Sequence, residues 1–156
     1  MVAVSRVRLR TPELDRLEEI GLVEPVLVAE VQQHEIDQGH WLGLEPGGWW
    51  SGPDSTELHH RIGSYSYWAA WREGVWHIGP GPALSGLLIH ADWCGGWGAS
   101  AAAEILEEMQ PRREEALKRW QAQPETALTA REWIGTWDQL VELLKIAADN
   151  GIVRLW

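Results

Sequence analysis

His90, Asp92 and Cys94 stand at alternate positions in the stretch Leu87-Leu88-Ile89-His90-Ala91-Asp92-Trp93-Cys94-Gly95-Gly96-Trp97-Gly98. Alternate side chains of an extended chain share one face. An extended stretch therefore sets an imidazole, a carboxylate and a thiol in line behind Leu88. All three are zinc ligands, and His59 or His60 could complete a set. Alternatively, Cys94 is a nucleophile near the start of the next helix, where a thiolate is favoured, with a histidine as its base. Either arrangement makes a metal- or Cys-dependent hydrolase. Neither a CxxC nor an HExxH spacing accompanies these residues, so no cofactor is implied, with zinc the metal that they could bind. A lone cysteine also serves as a small buried apolar group.

The same stretch carries an inventory for binding. Gly95, Gly96 and Gly98 lead into a helical pattern at Ser100, and free N–H groups at such a start receive phosphates. Arg61, Arg72 and the alternating Arg6, Arg8 and Arg10 supply cations that could meet an anion. Indole faces stack on flat rings, and Trp41, Trp49, Trp50, Trp93 and Trp97 flank this region, as do His59 and His60. Twelve Trp and no Phe are present, so some of the indoles must instead build the core.

The elements that would hold these groups follow from pattern. Val2 to Arg10 alternates and predicts a strand with one arginine face. Thr11-Pro12-Glu13 opens a helix through Leu14, Leu17 and Ile20 to Gly21. Val26 to Gln33 predicts a strand. His34 to Pro53 is rich in glycine and predicts a loop, carrying Trp41, Trp49 and Trp50 as a pocket wall or lid. Gly63 to Arg72 has helical spacing, with the helix ending at Gly74. Gly79-Pro80-Gly81-Pro82 predicts a connector leading to the His90 stretch. Ala101 to Gln110 predicts a helix with Ile105, Leu106 and Met109 inward, broken by Pro111. Arg112 to Gln123 is a further helical piece anchored by Leu117 and Trp120. Thr129 and Glu132 form a capping box for the last helix, whose inward side is Trp133, Trp137, Leu140, Val141, Leu144 and Ala148. Asn150-Gly151 stops it, and Ile152 to Trp156 predicts a closing strand. The sum is one α+β domain over residues 1–156, with a small mixed or antiparallel sheet and three to five helices.

Totals bound the function. The 156 residues carry a net charge of −10, which disfavours binding to a nucleic-acid polymer. One cysteine makes no internal disulfide, and no stretch is long and apolar enough to span a bilayer, so a cytoplasmic protein without a membrane partner is expected. A small-molecule ligand is the expected partner, and a second copy of the chain is also compatible.

Two segments carry a resemblance. His60-Arg61-Ile62-Gly63-Ser64-Tyr65-Ser66 leads to Trp71-Arg72, and Leu88 to Gly98 holds Asp, Cys and glycines. They resemble a group of bacterial and phage proteins with a Gly-Ser-Tyr-Ser stretch, an aromatic-Arg pair and a Ser-Asp-Cys-Glu-Gly pattern. Ala147-Ala148-Asp149-Asn150-Gly151-Ile152-Val153 is similar to the group's ending. Here Asp92 and Cys94 are not adjacent, and glycine replaces the acid. The resemblance implies a prokaryotic or viral accessory protein and no particular chemistry. Three functions remain: capture of a nucleotide-like signal in a Trp-lined pocket, as an anti-defence protein would; hydrolysis through His90, Asp92 and Cys94; or inhibition of a basic protein partner by an acidic, Trp-anchored surface. The pocket for the first would lie where the Trp41–Trp50 stretch meets Asp92 to Ser100.

Overall fold

The computed structural model describes residues 2–5, 7–10, 29–30, 41–44, 48–51, 57–59, 64–89, 96–123, 127–149 and 151–154. The chain is α+β. Strands β1 (Val2–Ser5), β2 (Val7–Arg10), β3 (Ala29–Glu30), β4 (Trp41–Leu42), β5 (Gly48–Ser51) and β6 (Glu57–His59) come first. Helices α1 (Tyr65–His77) and α2 (Pro82–Ile89) follow, then β7 (Gly96–Gly98), α3 (Ala99–Met109), α4 (Arg113–Gln121), α5 (Ala130–Ala148) and β8 (Gly151–Arg154). One sheet has the order β4-β7-β8-β1-β6 and a second has β2-β5-β3. Among the described residues, only β4 and β7 pair in parallel, and the other pairings are antiparallel.

Four sequence expectations are corrected. The single strand over Val2 to Arg10 is two strands that pair in different sheets. The loop expected from His34 to Pro53 contains β4 and β5, so Trp41, Trp49 and Trp50 sit on strands. Cross-strand pairing overrides a glycine-rich local composition there. Of the strand expected over Val26 to Gln33, Ala29 and Glu30 are described as strand. The helix expected from Thr11 to Gly21 lies outside the described residues.

The third correction concerns α1, which runs through Gly74 to His77. Gly74 is a point of close approach rather than a stop. A Cβ there would lie 2.3 Å from the Trp120 ring and 2.6 Å from Trp133 Nε1. The helix starts where the Ser64 hydroxyl accepts from the Tyr67 N–H at 3.3 Å. It ends at Gly79, whose φ of +75° is the left-handed conformation that glycine adopts without strain.

The fourth correction matters most for function. Leu87, Leu88 and Ile89 are not extended; they form the last turn of α2. Pro82 fits the first helical position, where its missing N–H is no loss. Leu84, Leu87 and Leu88 then repeat at helical spacing and are buried. A short apolar run between glycines fits strand and helix equally well by periodicity alone.

The core is built of indoles. Trp68, Trp71, Trp120, Trp133 and Trp137 come from α1, α4 and α5 and are all buried. Trp68 stacks on Trp71 at 5.0 Å and 7°, and Trp120 on Trp133 at 5.1 Å and 9°. The Trp71 Nε1–H donates to the Trp133 carbonyl at 3.0 Å, and the Trp133 Nε1–H donates to the Trp71 carbonyl at 3.2 Å. That reciprocal pair ties α1 to α5 while satisfying two buried donors. α5 carries its capping box: Glu132 N donates to the Thr129 hydroxyl at 3.2 Å, and Thr129 N donates to the Glu132 carboxylate at 2.8 Å. Its buried face includes Trp133, Trp137, Leu140 and Leu144 as expected from spacing, together with Thr136, Leu143 and Ala147; Val141 and Ala148 are half-buried.

Candidate functional site

The sequence-derived site residues scatter over several elements. Trp41 lies on β4, Trp49 and Trp50 on β5, His59 on β6, Arg72 on α1, Gly96 and Trp97 on β7, and Ser100 in the first turn of α3. His60, Arg61, His90, Asp92, Trp93, Cys94 and Gly95 lie outside the described residues. Because the chain is helical through Ile89, the continuous extended run over residues 87–94 does not form. Among the described residues, no three His, Cys, Asp or Glu side chains cluster to hold a metal ion.

Some of these residues meet. The parallel β4–β7 ladder sets Trp41 opposite Gly96 and Leu42 opposite Trp97. Trp49 and Trp50 pair instead with Leu9 and Arg8, and with Glu30 and Ala29, in the other sheet. The Trp97 side chain is fully buried in the core cluster, so it packs rather than lines an opening.

Gly43 and Leu44 then cross the start of α3. The Ser100 hydroxyl donates to the Gly43 carbonyl at 3.4 Å. A Cβ on Gly98, the N-cap of α3, would lie 2.4 Å from that carbonyl oxygen and 2.3 Å from the Leu44 side chain. A backbone acceptor of this chain therefore occupies space beside the helix start where a phosphate would sit. Gly43 has φ +68°, and a Cβ there would come 2.6 Å from Ser100 Oγ. Glycine at both positions allows this close crossing.

Beside the crossing is an open cleft of about 320 Å³ between α2 and α3, lined by Gly43, Pro82, Ala83, Gly86, Ser100, Ala101, Glu104 and Ile105. A second hollow of about 450 Å³ shares Pro82, Ala83 and Glu104 and adds Glu107 and Glu108. The walls are small and the ionisable groups are carboxylates. Gly86 lies within α2, and nothing stands within 4 Å of where its Cβ would be.

The gap between α2 and α3 is held by a polar clasp. The Glu108 carboxylate on α3 accepts from the Gly81 N–H and, at 3.1 Å, from the Leu84 N–H, which caps the start of α2. Arg112 donates to Glu108 at 3.2 Å and to the Gly79 carbonyl at 2.7 Å, and Arg119 donates to the Ile78 carbonyl at 2.8 Å. At the other end of α2, the Arg72 guanidinium donates to the Leu88 carbonyl, a cation on a helix C-terminus. Burial lowers the Arg72 pKa and Tyr65 opposes that shift; a guanidinium still stays charged at neutral pH. Arg72 thus closes α2, whereas the sequence put it forward as a ligand contact. Sequence reasoning missed Gly86 and Glu104. The available signal was a glycine within the apolar run Ala83-Leu84-Ser85-Gly86-Leu87-Leu88, followed by acids spaced along α3.

No protein-family model, curated protein or solved structure matches this chain.

Proposed function

We propose that this protein binds a small ligand in the α2–α3 cleft, as a sequestering accessory protein of a prokaryotic or viral cytoplasm folded as one α+β domain. Gly86 carries the reading. A glycine within a helix is about 1 kcal/mol less favourable than alanine, and here a methyl group would meet no neighbour. With no side chain, Gly86 leaves this wall of the cleft open.

The cleft's polar groups narrow the ligand. Ser100 and Glu104 present oxygen acceptors, and among the described residues no lining residue is cationic. The occupant is a compact molecule offering N–H donors, such as an amine or the amino edge of a nucleobase. A nucleotide-like ligand fits through its base. Its phosphate would need cations outside this cleft, with Arg61 among the residues that could serve. Trp41 is the sequence-derived stacking residue whose backbone adjoins this region. A second reading, a basic protein partner, is favoured by the net charge of −10 and by exposed Glu104 and Glu107 along the same edge. Hydrolysis rests wholly on His90, Asp92 and Cys94, and no described geometry favours it.

Titration calorimetry with adenosine, AMP and spermidine tests the small-ligand reading against two variants. Gly86→Ala should raise the unfolding free energy by about 1 kcal/mol, and Gly86→Leu should weaken binding of the active probe at least about tenfold by filling the cleft. Silence of all three probes, or unchanged affinity in Gly86→Leu, would overturn the proposal.

A further inference from the structure

The outer face of α1 turns large apolar side chains to solvent. Among the described residues, the large hydrophobic side chains left exposed are Tyr65 at 55%, Trp76 at 47% and Ile89 at 73%. Tyr65, Ala69, Arg72 and Trp76 fall at intervals of four, three and four along α1. That is the spacing of a coiled-coil seam, so the four share one stripe about 16 Å long. Ile89 adjoins it, because the Arg72 guanidinium donates to the Leu88 carbonyl one residue earlier. Exposed aromatic rings in a row with an arginine have the composition of an interface rather than of a solvated helix face.

Charge and shape decide what covers the stripe. α2 carries no charged residue, Glu73 lies 3.8 Å from His77, and Arg72 is turned onto a carbonyl. The face is close to neutral on a chain of net charge −10, so it gives a basic partner no hold. The stripe also fits itself, with bulk at both ends and a small residue between. Two copies of α1 running antiparallel about a two-fold axis set Tyr65 of each against Trp76 of the other, and Ala69 against Arg72. Ring then meets ring twice, and alanine receives the longer arginine. A parallel pair would instead set arginine against arginine. The exposed parts of Tyr65, Trp76 and Ile89 come to roughly 400 Å² per copy. That is about half of what a standard interface buries on each side, and it suits weak, reversible association.

We infer that this protein pairs with a second copy of itself through the outer face of α1, in an antiparallel dimer centred on Ala69 and Arg72. Neither Tyr65 nor Trp76 lines the α2–α3 cleft, so the dimer and the ligand reading can fail independently.

Sedimentation equilibrium of the full chain, loaded from about 10 μM to 1 mM, should show a monomer–dimer equilibrium. Added sodium chloride should tighten it, because salt screens the repulsion between two acidic copies and leaves apolar burial in place. Trp76→Ser should weaken dimerisation at least about tenfold. Ala69 is exposed, and glutamate and arginine are both good helix formers, so either can replace it without loss of fold. Ala69→Glu sets a carboxylate against Arg72 of the second copy, whereas Ala69→Arg sets a like charge there. The glutamate variant should dimerise at least about tenfold more tightly than the arginine variant. A chain that stays monomeric over the whole range overturns the proposal. So does a Trp76→Ser dimer as tight as wild type, a dimer that salt weakens, or equal affinities for the two Ala69 variants.

Discussion

The indole core and the α2–α3 cleft use different helices and opposite residues. Between α1, α4 and α5, large rings stack and exchange hydrogen bonds with the backbone. Between α2 and α3, Ala83, Gly86 and Ala101 leave the space open. The buried indoles are the material of packing, and the small residues mark the opening. A tryptophan-rich chain invites the reverse assignment, because an indole suits a stacking pocket as well as a core. What separates the two roles is whether both faces of the ring find partners inside the protein.

Three substitutions probe that contrast. The largest effect is expected from Trp133→Ala, which removes the ring stacked on Trp120 and leaves the Trp71 carbonyl without its donor. Urea unfolding should show a loss of about 3–5 kcal/mol. A loss under about 1 kcal/mol would mean that the rings are not a tightly packed core. Next comes Gly74→Ala, whose methyl must enter the space held by Trp120 and Trp133. It should destabilise by about 1–3 kcal/mol, the opposite sign to Gly86→Ala in the cleft. If both glycine variants move stability the same way, the distinction between a filled and an open region fails.

The smallest effect concerns the capping box at the start of α5. Thr129→Ala removes the cap and should cost about 1 kcal/mol by thermal or urea unfolding. The same site gives a pH signature. Its hydrogen bonds to Thr129 hold the Glu132 carboxyl below its ordinary value. The folded state therefore favours the ionised form. That contribution is complete above the unfolded carboxyl's pKa and is lost as pH falls through the lower, folded value. Wild type should lose it on acidification below about pH 4.5, and Thr129→Ala should lose less over the same interval. Parallel acid profiles for the two proteins would contradict the assignment.

Much of the helical half was legible in sequence, and for stated reasons. The capping box at Thr129 and Glu132 fixed the start of α5, and the helical spacing over Gly63 to Arg72 anticipated α1. Pro111 did break the path between α3 and α4 as a short 3-10 turn. The failures are equally specific. Gly74 reads as a terminator only when the ring that will press on it is unknown. Leu87 to Ile89 reads as a strand because three apolar residues contain less than one helical turn of pattern. β4 and β5 are invisible locally because their partners lie far away in sequence: Gly96 and Trp97 for β4, Leu9 and Arg8 for β5. The cleft was illegible for a related reason. Gly86 gains meaning only once α3 is known to stand opposite it.

The clasp around Ile78 to Gly81 has a consequence for how this chain tolerates change in length. Connectors between helices commonly absorb inserted residues, because their backbone faces water. Here consecutive backbone groups are gripped by Arg119, Arg112 and Glu108 from elements that follow later. One added residue would shift every carbonyl and amide out of step with its side chain and move Pro82 off the start of α2. Length variation is therefore far less permissible at this turn than its glycines and prolines suggest.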